Sequence, residues 1–241
     1  MAWNAVVTTN HGRTSQGKPF SWSYSKLKNY ETCPARYFNI DVLKKYKDTS
    51  ESLTYGNTVH DVLDKRIGKG EPLPTGYEGF EVWAQKVLTG PGTILTEQQL
   101  AITKDFEPCA WFDSDNPPDK KAWYRAKVDV LKINGPVAIC IDWKTGKIIE
   151  DTPQLVLAAA CVFYHHPQVQ KVRTKFVWLK DNADTTIDMD RAELPDMWAS
   201  LWSRIEALRM AHERTDFPPT PNSFCNRFCV VTSCPHNGRR K

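Results

Sequence analysis

The stretch Ala122-Trp-Tyr-Arg-Ala-Lys-Val-Asp129-Val-Leu-Lys-Ile133-Asn134-Gly135-Pro136-Val137-Ala-Ile-Cys-Ile-Asp142-Trp143-Lys144 reads as two strands folded about a tight turn. Apolar and β-branched residues dominate both arms, and Asn134-Gly135-Pro136 supplies the turn chemistry. The spacing predicts a hairpin with strands over Ala122 to Ile133 and Val137 to Trp143. In an antiparallel hairpin with an even-length loop, positions whose numbers sum to an odd value share a face, so Asp129 and Asp142 point the same way. Alternation then sends Ala138, Cys140, Asp142 and Lys144 to one side and Val137, Ile139, Ile141 and Trp143 to the other. Two carboxylates and an ammonium meet at the end of an apolar strand, where charge is poorly hydrated and needs compensation. A plain Asp142–Lys144 ion pair is one solution. A divalent cation is the other, because Mg²⁺ and Mn²⁺ prefer carboxylate oxygen and keep waters that phosphate can replace. One ion would lower the pKa of a bound water, a second ~3.5–4 Å away would stabilise a departing oxyanion, and Lys144 would orient the water or balance phosphate charge.

Working outward, the flanks mix helices and strands. Ser23 to Leu63 suggests short helices with Ser23 as N-cap and a break at Cys33-Pro34. Gly56 to Ile67 reads as an amphipathic helix on which His60 shares the apolar face with Gly56, Leu63 and Ile67, while Asp61 and Lys65 point away. An inward imidazole is ordinarily a core residue, but beside the acidic hairpin it is a competent further ligand for Mn²⁺. A Gly/Pro-rich loop from Gly68 to Gly79 precedes a helix around Phe80 to Leu88, then a strand over Ile94 to Ile102. After the hairpin, Pro153 to Tyr164 is helical and Lys171 to Leu179 extended. A helix from Pro195 to Arg214 carries the core stripe Trp198, Leu201, Trp202, Ile205 and Leu208. Strands interleaved with helices give an α/β fold.

Composition sets the bounds. The chain has 241 residues, 41% hydrophobic and 25% charged, which describes a globular chain able to bury a core without disulfides. The longest apolar run, Leu155 to Tyr164, is ten residues, half of what a membrane-spanning helix needs. The first residues lack a basic stretch followed by an apolar one, so a cytoplasmic location is expected. The net charge of +4 permits a polyanionic partner without demanding one.

Seven cysteines in a reducing compartment are more easily read as thiols or ligands than as disulfides. Cys109, Cys140 and Cys161 sit among apolar neighbours and are expected in the core. Cys225, Cys229 and Cys234 fall within ten residues on a Pro-flanked segment, which favours metal binding. Three ligands leave tetrahedral Zn²⁺ or a cubane cluster one short. Cys33 is the obvious fourth and His236 its competitor. If Cys33 completes the set, the metal staples the N-terminal helices to the C-terminal tail, and its binding energy becomes folding energy.

Taken in order, Ser23-Tyr-Ser-Lys-Leu-Lys-Asn-Tyr-Glu-Thr-Cys33-Pro34, Gly56-Asn-Thr-Val-His60, Asp129, Asp142-Trp-Lys144-Thr-Gly, Gln154-Leu155 and the terminal cysteines resemble a RecB-like nuclease of the PD-(D/E)XK superfamily. More narrowly, the chain is similar to the iron–sulfur members, which include the AddB nuclease domain and CRISPR-associated adaptation nucleases. The resemblance runs from about Ser21 to Pro235. It implies a restriction-endonuclease-like core with a central mixed sheet flanked by helices, its N- and C-terminal segments joined by a metal cluster. It also implies one or two Mg²⁺ or Mn²⁺ ions on His60, Asp129 and Asp142, with Lys144, both aspartates and His60 catalytic. Gln154 and Glu97 are expected near substrate. Cys33, Cys225, Cys229 and Cys234 would hold a 4Fe–4S cluster, with Zn²⁺ as the alternative. The terminal cysteines are spaced C-x3-C-x4-C where the family has C-x2-C-x5-C, and Ala158 stands where the family often carries Tyr.

A single nuclease domain over residues 1–241 is therefore expected: a flexible start (1–20), a helical N-terminal part (21–90), the catalytic sheet (91–180), and a C-terminal helix with the cysteines (181–241). No G-x-x-x-x-G-K-[ST] phosphate loop is present, so the chain is not itself a helicase. The expected activity is a metal-dependent exonuclease on DNA ends or single strands, in recombination, repair or phage DNA processing, with recombination or replication proteins as further partners. The competing reading is a DNA-binding or assembly factor whose hairpin is catalytically idle. A Zn²⁺ deaminase fails because the H-x-E and C-x-x-C elements are absent.

Overall fold

The computed structural model describes residues 19–47, 49–149 and 151–239, which form two compact units. The first unit comprises the chain up to residue 47 and from residue 199 onward, and the second comprises residues 48–198. None of the described helices is long and apolar enough to cross a membrane.

In the first unit, helix α1 (Tyr24–Thr32) starts where the Ser23 hydroxyl accepts a hydrogen bond from the Lys26 amide, as the sequence predicts for an N-cap. Cys33 is extended and ends α1, and Pro34 begins α2 (Pro34–Tyr37), its missing N–H costing nothing in a first helical turn. The core of this unit holds a buried polar pair: Tyr37 Oη and His212 Nε2 share a 2.7 Å hydrogen bond, with Phe20 and Phe217 packed edge-on against the imidazole. Burial pushes the His212 pKa down to about 4, with the Lys26 charge acting the same way.

The second unit is built on a six-stranded mixed sheet. Helix α3 (Glu51–Lys69) starts at the Ser50 cap, one and a half turns before the expected Gly56, and ends on Gly70, whose φ of 72° is the left-handed conformation that glycine tolerates. Helix α4 (Glu81–Leu88) leads to β1 (Thr93–Ile102), then β2 (Pro108–Cys109), β3 (Tyr124–Asn134) and β4 (Val137–Lys144). Helix α5 (Thr152–His165) crosses to β5 (Lys171–Trp178), and β6 (Ala183–Asp190) completes the sheet. The strand order is β2-β1-β3-β4-β5-β6, antiparallel throughout except for the β4–β5 pair that α5 connects. Helix α6 (Leu194–Arg214) begins in this unit and continues into the first, where α7 (Phe224–Arg227) follows.

The hairpin register fixes the geometry. Asn134 pairs with Val137 and Val130 with Ile141, so the next facing pair is Asp129 and Asp142. Val130 and Trp143, together with Val177 and Leu179, form a core with Val59, Leu63 and Ile67 of α3 and Trp83 and Val87 of α4. Leu155 packs on Phe176 and Trp178 in a second cluster. Cys140 and Cys161 are buried as expected, whereas Cys109 is only half-buried. The Lys132 ammonium donates to the carbonyls of Val87, Thr89 and Gly90, closing the end of α4 with a charge of the sign its dipole favours.

Candidate metal centre

Asp129 stands one step beyond the last regular β3–β4 pair. Its Oδ2 accepts the Trp143 amide at 2.8 Å, replacing a ladder bond with a side-chain bond and fixing the carboxylate, while its Oδ1 meets His60 Nδ1 at 3.1 Å. Asp129 is 6% exposed, so its lone pairs have no bulk water to turn to. His60 is presented by α3, and the fit there is close: a Cβ on Gly56 would lie 3.3 Å from Thr145 Oγ1, just past Lys144.

Glu97 enters from β1. The β1–β3 register pairs Thr96 with Val130 and Gln98 with Val128, which leaves Glu97 opposite Asp129. Glu97 has a φ of 52°, a left-handed conformation that costs a non-glycine residue roughly 1–3 kcal/mol and persists where its surroundings enforce it. Donor atoms of His60, Glu97 and Asp129 all lie within 4.8 Å of one another. Trans ligands about a cation that holds oxygen at ~2.1 Å are ~4.2 Å apart, so shifts of a few tenths of an ångström suffice. Two carboxylates and an imidazole suit Mn²⁺ or Mg²⁺, and the residues present fit such an ion.

Asp142 lies outside that trio, tied to its own partners. Its Oδ1 accepts Gln154 Nε2 at 2.8 Å, and its Oδ2 meets Lys144 Nζ at 2.7 Å. Lys144 Nζ also reaches Gln154 Oε1 at 3.4 Å and stands 4.6 Å over the Phe176 ring. Gln154, in the first turn of α5, therefore joins the acid and the amine. Burial pushes the Asp142 pKa up to about 6, with Asp129 adding to the rise and Lys144 opposing it. For His60, burial works against the charged form, yet the hydrogen bond and charge of Asp129, with Asp142 and Glu97 behind them, leave the pKa raised. Neighbouring carboxylates contribute to both shifts, and a bound cation would oppose that contribution.

Lys127 is the residue that sequence reasoning passed over. It is two positions before Asp129, hence on the same face, and its ammonium pairs with the Glu97 carboxylate. Strand alternation alone places it there. The expected ligands His60 and Asp129 meet. Glu97, expected near substrate, completes their trio, and Asp142 is held on the Lys144 and Gln154 side.

The other expected centre lies in the first unit. Cys33, Cys225, Cys229 and Cys234 all line one cavity of about 240 Å³, with His236 also on its wall. The Thr220 amide donates to Cys33 Sγ and the Asn222 amide to Cys225 Sγ, both at 3.4 Å.

A mixed sheet whose hairpin gathers acids and a lysine beside a helix-borne histidine makes a candidate site for a divalent cation. The sequence matches the model of the PD-(D/E)XK nuclease superfamily over residues 21–237, and the chain belongs to that superfamily. No curated protein matches it. Among solved structures, the chain is similar to that of SSO0001, with 16% identity, a TM-score of 0.47, and 91% of this chain and 88% of that one covered. It is also similar to a protein from Eubacterium rectale described as "Putative exonuclease", with 10% identity, a TM-score of 0.49, and 94% and 91% covered.

Proposed function

We propose that the protein is a divalent-metal-dependent deoxyribonuclease that hydrolyses phosphodiester bonds at DNA ends or on single strands. It would be a RecB-like member of the superfamily's iron–sulfur branch. The observation that carries this reading is the joining of Asp129, Glu97 and His60 in one donor set, one strand position away from the Asp142–Lys144–Gln154 group. His60, Glu97 and Asp129, with Asp142 beside them, hold Mg²⁺ or Mn²⁺. An ion held by these residues would supply water activation and neutralisation of phosphate charge.

The remaining chemistry belongs to the chain. Lys144, steadied by Asp142, Gln154 and the face of Phe176, keeps an ammonium where a scissile phosphate would lie and orients the attacking water or stabilises the charge that builds up. Gln154 holds Asp142 and Lys144 in one arrangement and takes the strand backbone. The Trp143 amide keeps Asp129 from turning away.

In the same reading the four cysteines hold a 4Fe–4S cluster. Tetrahedral zinc with Zn–S of ~2.3 Å would draw four sulfurs to about 3.8 Å from one another. Among the described residues the cysteines supply no group of three within 4.8 Å. Their cavity of about 240 Å³ favours the larger cubane, and the two amide-to-sulfur hydrogen bonds are of the kind that tune such clusters. Cys33 and the terminal cysteines would then form a staple within one nuclease domain of which residues 91–180 are the catalytic core. The family match over 21–237 spans both parts. The setting would be the cytoplasm, the host's if phage-encoded, in recombination, repair or phage DNA processing.

The test is digestion of end-labelled single- and double-stranded DNA with Mg²⁺ or Mn²⁺. Degradation abolished by Asp142→Ala or Lys144→Ala, with folding intact, is expected. Failure of the fully metal-loaded protein to cut either substrate overturns the reading in favour of an idle DNA-binding factor, and undiminished cutting by those variants overturns the assignment of the hairpin as the active site.

A further inference from the structure

Two of the cluster cysteines share a short helical segment with two exposed aromatic rings. Phe224 and Phe228 each precede a cysteine, Cys225 and Cys229, so both pairs are four residues apart but point about 100° from each other around α7 and its C-cap. The cysteines line the cavity, and Phe224 and Arg36 border it as well. The phenylalanines are 45% and 62% exposed, and their rings contact each other with centroids 5.3 Å apart, inclined at 50°. Single exposed apolar residues are ordinary, but two adjoining rings on a four-residue turn, fixed from behind by cluster ligands, make a rigid apolar surface.

The segment of chain that carries the rings has charge of one sign. From Phe217 to Lys241 the sequence contains no Asp or Glu, and it carries Arg227, Arg239, Arg240 and Lys241. Arg227 and Arg239 are exposed, and the Arg36 guanidinium lies 5.7 Å from the Phe224 ring centre. Among the acids of the same unit, Glu31 pairs with Arg204, Glu206 and Glu213 pair with Arg209, and Asp41 accepts a hydrogen bond from Asn29. Flat apolar faces in a basic surround fit a polyanion whose own flat faces are free. That describes a single nucleic-acid strand and excludes a duplex, whose bases are stacked on one another.

We propose that Phe224 and Phe228 form a base-stacking platform for single-stranded DNA, flanked by Arg36, Arg227 and Arg239 as phosphate partners and held in shape by the cysteine cluster. The proposal rests on the nuclease reading and adds a binding site in the first unit to the catalytic one in the second. It requires that affinity depend on the bases as well as the phosphates.

The experiment measures fluorescence anisotropy of the full, cluster-containing chain, without added divalent ions, on a labelled oligodeoxythymidine and on an abasic strand of equal length. Wild type is expected to bind the thymidine strand more tightly. Phe224→Ala/Phe228→Ala should weaken that binding about tenfold or more while shifting abasic affinity less than about twofold, and Phe228→Trp should preserve it. Phe228→Ala alone, at the more exposed ring, serves if the double variant loses its cluster absorbance. Equal affinity of wild type for the two strands, or thymidine binding unchanged in the variants, overturns the platform and points to a protein-contact surface. Loss of base preference in a protein that cuts no DNA with Mn²⁺ would sink the nuclease reading and spare the platform. Normal cleavage with unchanged base preference would do the opposite.

Discussion

The acidic hairpin and the cysteine cavity each gather candidate metal ligands, one set from a short stretch of chain and the other from distant parts of it. At the hairpin, Asp129, Asp142 and Lys144 lie within sixteen consecutive residues, and a two-residue turn sets their facing. At the cavity, Cys33 is about 190 residues from Cys225, and only the closed chain joins them. The hairpin is organised by its own backbone, so its geometry should survive without metal. The cavity is lined by cysteines from distant parts of the chain, so if a metal fills it, its stability should depend on that metal.

The sharpest way to break the contrast is at the hairpin chemistry. Asp142→Ala or Lys144→Ala should lower the rate of DNA cleavage by about 10²–10⁴-fold, the range of a lost general acid, base or charge stabiliser, with the circular dichroism melt little changed. An equal loss of folding in those variants would mean that the hairpin depends on its charges for structure. Next in size is the staple. Cys33→Ser should cost several kcal/mol of unfolding free energy by denaturant titration together with the cluster absorbance, whereas the same measurement on Lys144→Ala should show little change.

A smaller effect separates the two units by pH. His212 is held near a pKa of about 4 by burial, below its ordinary value, so the unfolded chain binds the proton more readily. Stability is therefore full above about pH 6.5 and declines as pH falls toward 4, by about 1.4 kcal/mol per unit at most. His212→Phe should flatten that slope in denaturant melts. The smallest change concerns Lys127, whose ammonium competes for the Glu97 carboxylate. Lys127→Met should tighten Mn²⁺ binding a few-fold by calorimetry, and an unchanged affinity would show that Glu97 is not a ligand.

What the sequence made legible follows the same division. Parity across the Gly135-Pro136 turn was enough to bring Asp129 opposite Asp142, and helical spacing was enough to turn His60 inward, because both are short-range rules. Lys127 obeys the same parity, two positions before Asp129. Strand β6 escaped because Asp184, Asp188 and Asp190 interrupt its few apolar residues, Ile187 and Met189, on an exposed edge, which reads as loop until a partner strand is known. The early start of α3 was hidden by Gly56, which marks a close approach to Thr145 rather than a helix end. Glu97's left-handed backbone has no sequence signature, and its place in the trio depends on β1 lying against β3. Pairing Cys33 with the terminal cysteines rested on ligand count, which left His236 as a competitor, since nothing local links residues so far apart.

The central claim is that His60, Glu97 and Asp129 grip a divalent cation beside Asp142. An anomalous difference map from crystals soaked in Mn²⁺ examines it directly. The account predicts a peak within ligand distance of His60 Nδ1 or Nε2 and the carboxylates of Glu97 and Asp129, absent in Asp129→Ala. A map with no peak there, from protein that still cuts DNA when Mn²⁺ is added, would contradict it.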